Sequence, residues 1–112
     1  MNEVLEQEVN QLHAEFCAGL ADPKRILIIY ALSDGPHNVT DLAASLKMSQ
    51  PAVSRHLKVL RDRGMVQANR VGPSVEYRLA DQRLLEALDL LRAALRDHLA
   101  YRAQLAGVLE LE

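Results

Sequence analysis

With 112 residues the chain is sized for one domain, and an apolar fraction of 49% is enough to fill a core of Leu, Val, Ile and Ala, because aromatics make up only 4% and Trp is absent. The single Cys excludes an internal disulfide and any all-cysteine metal site within one chain. A formal net charge of −2 speaks against a binder of nucleic acid by bulk attraction, but the charges are segregated. Residues 55 to 78 hold Arg55, Lys58, Arg61, Arg63, Arg70 and Arg78 against only Asp62 and Glu76, while acids gather at the ends in Glu3, Glu6, Glu8, Glu15, Glu110 and Glu112. No apolar run reaches the length of a membrane span, and the acidic opening MNEVLEQEVNQ is unlike a signal peptide, so the expected compartment is cytoplasmic.

The chain up to about Leu20 reads as a helix, with Leu5, Val9, Leu12 and Phe16 at spacings of 4, 3 and 4. Asp22 then caps a second helix with Pro23 as its first residue. Ile26, Leu27, Ile29, Tyr30 and Leu32 make that helix apolar almost all round, which predicts the central core helix, and it stops near Ser33-Asp34-Gly35-Pro36. A short helix over Thr40 to Leu46 follows, with Leu42, Ala43 and Leu46 on one face. Lys47-Met48 makes a turn, Ser49 caps the next helix, and Pro51 is tolerated in its first turn. Val53, Leu57 and Leu60 point inward at spacings of 4 and 3, Gln50, Ser54, Arg55, Lys58 and Arg61 fall on the other faces, and Gly64 ends the helix.

Residues 39–64 thus have the pattern of a helix-turn-helix, which sets its second helix in a major groove with the N-terminal residues on base edges. Met65 to Asn69 and Val75 to Leu79 are strand-like, separated by the turn Arg70-Val71-Gly72-Pro73-Ser74, so residues 65–80 read as a wing. Gln50, Ser54 and Arg55 are the candidates for base edges, since Arg suits guanine and Gln suits adenine. Ser49, Lys58, Arg61 and Arg70 are expected on phosphates, with Arg78 as a further wing contact. His56 in the same helix suits a phosphate or packing. Asp81 can cap the last helix, in which Leu84, Leu88, Leu91 and Leu95 repeat at 4, 3 and 4 and Leu85 and Leu99 widen the stripe; it runs through Tyr101 towards Val108.

The expected fold is mainly α with a small β-hairpin, a winged helix-turn-helix ordered α-α-α-α-β-β-α over residues 1–112. The terminal helices, 1–20 and 81–108, offer more apolar surface than one small winged domain covers, which predicts a homodimer with two-fold symmetry. Such a dimer doubles the recognition helix and suits a near-palindromic operator with half-sites about one helical turn apart.

Ala21-Asp22-Pro23-Lys24-Arg25-Ile26, Leu42-Ala43, the run from Ser49 to Leu60, Gly64-Met65-Val66 and Tyr77-Arg78-Leu79 resemble the arsenic-repressor (ArsR/SmtB) family of winged-helix transcriptional regulators. The resemblance covers roughly residues 12 to 100, and the run SQPAVSRHLKVL is its specific part. It implies a homodimeric operator-binding regulator, a repressor by family default, whose affinity responds to a metal ion or to thiol oxidation. The positions matching the family's Cys-x-Cys pair are Asn38 and Thr40, neither a thiolate. Of the four positions matching its site between the last helices, Asp81 and His98 are ligand types, but Arg83 and Tyr101 stand at the other two. Outside the family sites, His13 and Cys17 at i and i+4 form another candidate metal pair, which Asp97 or His98 of the last helix would complete, and His37 with Asp41 is a second. A set of His, carboxylate and at most one Cys suits Ni2+ or Zn2+.

The rival readings are a regulator without a metal, controlled by a regulatory partner protein or by Cys17 oxidation, and a winged-helix module that binds protein instead of DNA. An enzyme is the weakest reading: the chain has no Gly-rich phosphate loop and no recognisable nucleophile–base motif.

Overall fold

The computed structural model describes residues 1–111, which form two compact units, one ending at Gln82 and one starting at Arg83. The first unit contains α1 (Glu3–Leu12), a π-helical turn (His13–Cys17), α2 (Pro23–Ala31), β1 (His37–Asn38), α3 (Val39–Leu46), α4 (Gln50–Asp62), β2 (Val66–Val71) and β3 (Ser74–Leu79). The second is the long helix α5 (Arg83–Leu111), which continues beyond the expected end at Val108. Asp81 falls two residues before its first residue. Among the described residues no helix is long and apolar enough to cross a membrane.

Local chemistry places most helix ends where the sequence predicts them. Asp22 accepts from the Lys24 N–H at 2.9 Å and starts α2. Asn38 accepts from Asp41 N–H at 2.8 Å, so α3 begins one residue before the expected Thr40. Ser49 Oγ accepts from Ala52 N–H at 3.2 Å and starts α4. Each helix of the helix-turn-helix ends on a left-handed residue, Lys47 (φ 56°) after α3 and Gly64 (φ 75°) after α4. In both, the following N–H reaches back to the last turn: Met48 to Ala43 O at 3.0 Å and Met65 to Leu60 O at 2.9 Å.

Two features differ from expectation. The sheet has three strands, not two, in the order β1-β3-β2, because His37 and Asn38 pair antiparallel with Tyr77 and Glu76. The first helix does not continue evenly to Leu20 but passes through the π-helical turn, in which the Ala18 N–H bonds back five residues to His13 O.

The core of the first unit is the apolar face of three helices and the inner side of the wing. Ile28, Ile29 and Leu32 of α2 and its end, Leu42 and Ala43 of α3, Val53, Leu57 and Leu60 of α4, and Met65, Val66 and Leu79 are buried. No polar side chain is buried with them among the described residues. The central role of α2 holds for this face only: Leu27 is 52% exposed, because i and i+1 on a helix point about 100° apart. No residue of α1 is buried. Val4, Leu5, Val9 and Leu12 of α1 are exposed, as are Leu91, Leu95 and Leu99 of α5.

Candidate nucleic-acid interface

The candidate recognition helix α4 has a buried face and an exposed polar face. Val53, Leu57 and Leu60 are buried and hold it to the body, leaving Ser49, Gln50, Ser54, Arg55, Lys58 and Arg61 exposed. Gln50, Ser54 and Arg55 occupy its N-terminal half, the part that meets base edges in a helix-turn-helix. Arg61 lies in the last turn, where a cation also complements the helix dipole. Among the described residues neither Arg55 nor Arg61 has a hydrogen-bond or ion-pair partner.

Lys58 is engaged. Its Nζ donates to Asp62 Oδ2 at 2.9 Å, one turn further on, and this bond, with Arg61 and Arg63 nearby, holds the Asp62 carboxyl below the usual carboxylate range. Both side chains are exposed, so solvent screens the pair and it is weak, and a phosphate can take Lys58 away from it. Asp62 is the one acid of α4, and it is ionised at neutral pH beside the basic face. Asp62→Asn should therefore bind random DNA several-fold more tightly and steepen its salt dependence, by up to about one unit of slope. Fluorescence anisotropy across a salt series checks this; an unchanged slope would mean that Lys58 does not reach a phosphate.

His56 departs from the exposed face. It is half-buried, and its Nδ1 lies 3.5 Å from Arg25 Nη1, so the ring is directed to α2 and away from a groove-facing position. The strand alternation also separates the two wing arginines. Arg70 opposes Val75 and shares a face with Val66 and Ala68, whereas Arg78 opposes Gln67 on the other face. Arg78 Nε donates to Gln67 Oε1 at 3.2 Å, while Arg70 stands next to the tip, exposed and unpaired among the described residues. The strands run to Val71 and from Ser74, so the tip is only Gly72-Pro73, tighter than the expected five-residue turn.

Two arginines, Arg25 and Arg63, tie backbone carbonyls near the end of the first helix. Arg25 Nε donates to Gly19 O at 2.7 Å and Nη2 to Ala18 O at 3.3 Å, and its guanidinium is 3.9 Å from the Asp22 carboxylate. It thereby satisfies carbonyls that the end of the first helix leaves open. Arg63 donates to the carbonyl of Ala14. The acceptors are backbone carbonyls, six and seven residues back for Arg25 and 49 residues back for Arg63, so residue types alone do not signal either tie.

These residues fall within a known pattern. The family model "Bacterial regulatory protein, arsR family" matches residues 22–68, from the cap of α2 into the wing. The chain is 42% identical over 83 residues to the "Transcriptional repressor SmtB homolog" of Synechocystis sp., a match covering 74% of this chain and 63% of that protein. It is 46% identical over 70 residues to the "HTH-type transcriptional regulator NmtR" of Mycobacterium tuberculosis, covering 62% and 58%. The chain belongs to the arsR family. In both relatives the match spans about six-tenths of the relative's length. Among solved structures, the homodimeric winged helix-turn-helix DNA-binding domain Mb0332 from Mycobacterium bovis superposes with a TM-score of 0.77 at 25% identity, over 90% of this chain and 93% of that one.

This arsR-family chain does not carry the full donor set of either metal site that its resemblance implies. Asn38, at a thiolate position, uses its side chain to cap α3, and Thr40 offers only a hydroxyl. Arg83, at a position of the other site, is a permanent cation and cannot ligate. His37 turns to Asp34, Nε2 to Oδ1 2.9 Å, and not to Asp41. The reason is local: the turn after α2 brings Asp34 within three residues of the ring, and the resulting bond lowers the Asp34 carboxyl pKa. His13 and Cys17 sit exposed at the two ends of the π-helical turn, and Asp97 and His98 are exposed on α5. Among the described residues no three His, Cys, Asp or Glu side chains gather in a group that could hold a metal ion.

Proposed function

We propose that this arsR-family chain is a transcriptional regulator that binds a near-palindromic operator as a homodimer and represses from it. The observation that carries the reading is the division of α4 into a buried Val53, Leu57, Leu60 row and an exposed Gln50, Ser54, Arg55, Lys58, Arg61 face beside a tight wing bearing Arg70. Gln50, Ser54 and Arg55 read bases, and Ser49, Lys58, Arg61 and Arg70 position the helix on phosphates. The exposed apolar residues of α1 and of α5 support pairing with a second copy. The homodimeric state of the Mycobacterium bovis domain and the repressor name of the Synechocystis relative support assembly and direction of control.

For the effector, the donor chemistry favours control that does not run through either family metal site. His13, Cys17, Asp97 and His98 are the side chains that would suit nickel or zinc if copies of the chain brought them together.

Anisotropy with DNA from upstream of the protein's own gene, against scrambled DNA, tests the regulator reading. A preference of about 1,000-fold or more is expected. Equal affinity for both would overturn it and leave the protein-binding module. The same titration with nickel or zinc added is expected to leave operator affinity unchanged. A shift that disappears in Cys17→Ser or His98→Ala would instead place a metal site at those residues.

A further inference from the structure

In the sequence Arg63 is one more cation of the basic band beside Lys58 and Arg61. Its place in the fold is different. It is the residue that ends α4, it is half-buried, and its Nη1 donates to the carbonyl of Ala14, 49 residues earlier. Its stem lies along the first helix: a Cβ added to Gly19 would come within 3.3 Å of Arg63 Cδ and 2.7 Å of Met65 Sδ. The side chain therefore follows the helix from Gly19 back to Ala14, over the π-helical turn His13–Cys17. From the other side, Arg25 holds the carbonyls of Ala18 and Gly19 and approaches His56 of α4. The end of the first helix is thus tied by one arginine that belongs to the end of the recognition helix and by another that touches its middle.

We propose that Arg63 is a positioning residue that fixes the angle between the first helix and the recognition helix, and does not hold a phosphate. This rests on the reading of the chain as a dimeric operator-binding regulator with α1 in the dimer seam. The lever is sensitive. The ten residues of α1 span about 15 Å, so a tilt of about 10° at the π-helical turn moves the far end by about 2.6 Å. That displacement approaches the 3.4 Å step between base pairs, so it mis-spaces two recognition helices against a fixed operator.

The test uses the full chain with Arg63→Ala, Arg63→Lys and, as the phosphate reference, Arg61→Ala. Operator and random DNA affinities are measured across a salt series, and amide hydrogen exchange is followed over residues 13–19 of the free protein. Arg63→Ala should lose about 10-fold in operator affinity, keep its affinity for random DNA and its salt slope, and exchange faster at 13–19. Arg63→Lys, which keeps a donor, should recover much of both. A parallel loss on both DNAs with the slope reduced by about one, as expected of Arg61→Ala, would make Arg63 a phosphate contact and overturn the proposal. Unchanged exchange at 13–19 would overturn it as well. The exchange measurement involves no DNA. If the wild-type chain binds no operator, the regulator reading fails while the tie between Arg63 and the π-helical turn is still decided. Faster exchange throughout the chain in Arg63→Ala would signal loss of the fold, and Arg63→Lys then carries the comparison.

Discussion

Leu57→Ala is expected to remove about 2–5 kcal/mol of folding stability. Leu57 is 0% exposed and stands in the middle of the row Val53, Leu57, Leu60, on a helix that packs on α2, α3 and β2. Ile28, Ile29 and Leu42 of the helices it packs on are themselves buried, so a cavity at this position lies inside the core and not at its edge. With a total stability of roughly 5–15 kcal/mol for a domain of this kind, that loss is a large fraction of the whole. Leu27→Ala supplies the contrast: the same chemical change at a half-exposed position of α2 should remove less than about 1 kcal/mol. Thermal unfolding at one fixed protein concentration checks both, the concentration being held because the proposed pairing of copies would add to apparent stability. Equal losses at the two positions would contradict the packing described.

Arg55→Ala should remove about 1–3 kcal/mol of discrimination between operator and random DNA. Arg55 projects from the second turn of α4, exposed and with no partner among the described residues, so nothing within the chain has to be broken before it meets a base. The planar fork of a guanidinium matches the two acceptors on the edge of guanine. Arg55→Lys is therefore expected to recover the salt dependence without the discrimination, since an ammonium carries the charge but not the fork. Arg61→Ala should behave in the opposite way, weakening binding to both DNAs alike and lowering the salt slope. The measurement is the ratio of operator to random affinity at several salt concentrations. A ratio that stays constant in Arg55→Ala would remove this residue from base readout.

The helix-turn-helix was legible in the sequence because its determinants are local. Ser49 and Asp22 cap within three residues of themselves, Gly64 supplies a left-handed backbone at the point where it is needed, and the inward face of α4 follows from a period of 3.6. Strand β1 was not legible, because His37 and Asn38 become a strand only by pairing with Tyr77 and Glu76, some forty residues away. The π-helical turn was hidden for a similar reason: an apolar spacing of 4, 3, 4 does not distinguish one hydrogen-bond pattern from another. Within the candidate site, the exposed polar residues of α4 were readable and the fate of individual cations was not. Lys58 pairs with Asp62, Arg78 with Gln67, and Arg63 with a backbone carbonyl, so a count of basic residues does not tell which of them have no partner within the chain. Arg70 and Arg78 fall on opposite faces of the wing because eight positions separate them around a two-residue tip, a register that the sequence left open between Arg70 and Ser74.

The first helix contributes no side chain to the interior. Drift in those ten residues is therefore nearly invisible to folding, while it remains fully visible to whatever pairs with them. After a gene duplication, one copy could acquire its own pairing preference there without any change to the face that meets DNA. If copies pair through α1 on DNA as proposed, two such copies would cease to form mixed dimers while still recognising one site, so competition for a shared promoter would arise before any new binding specificity evolved.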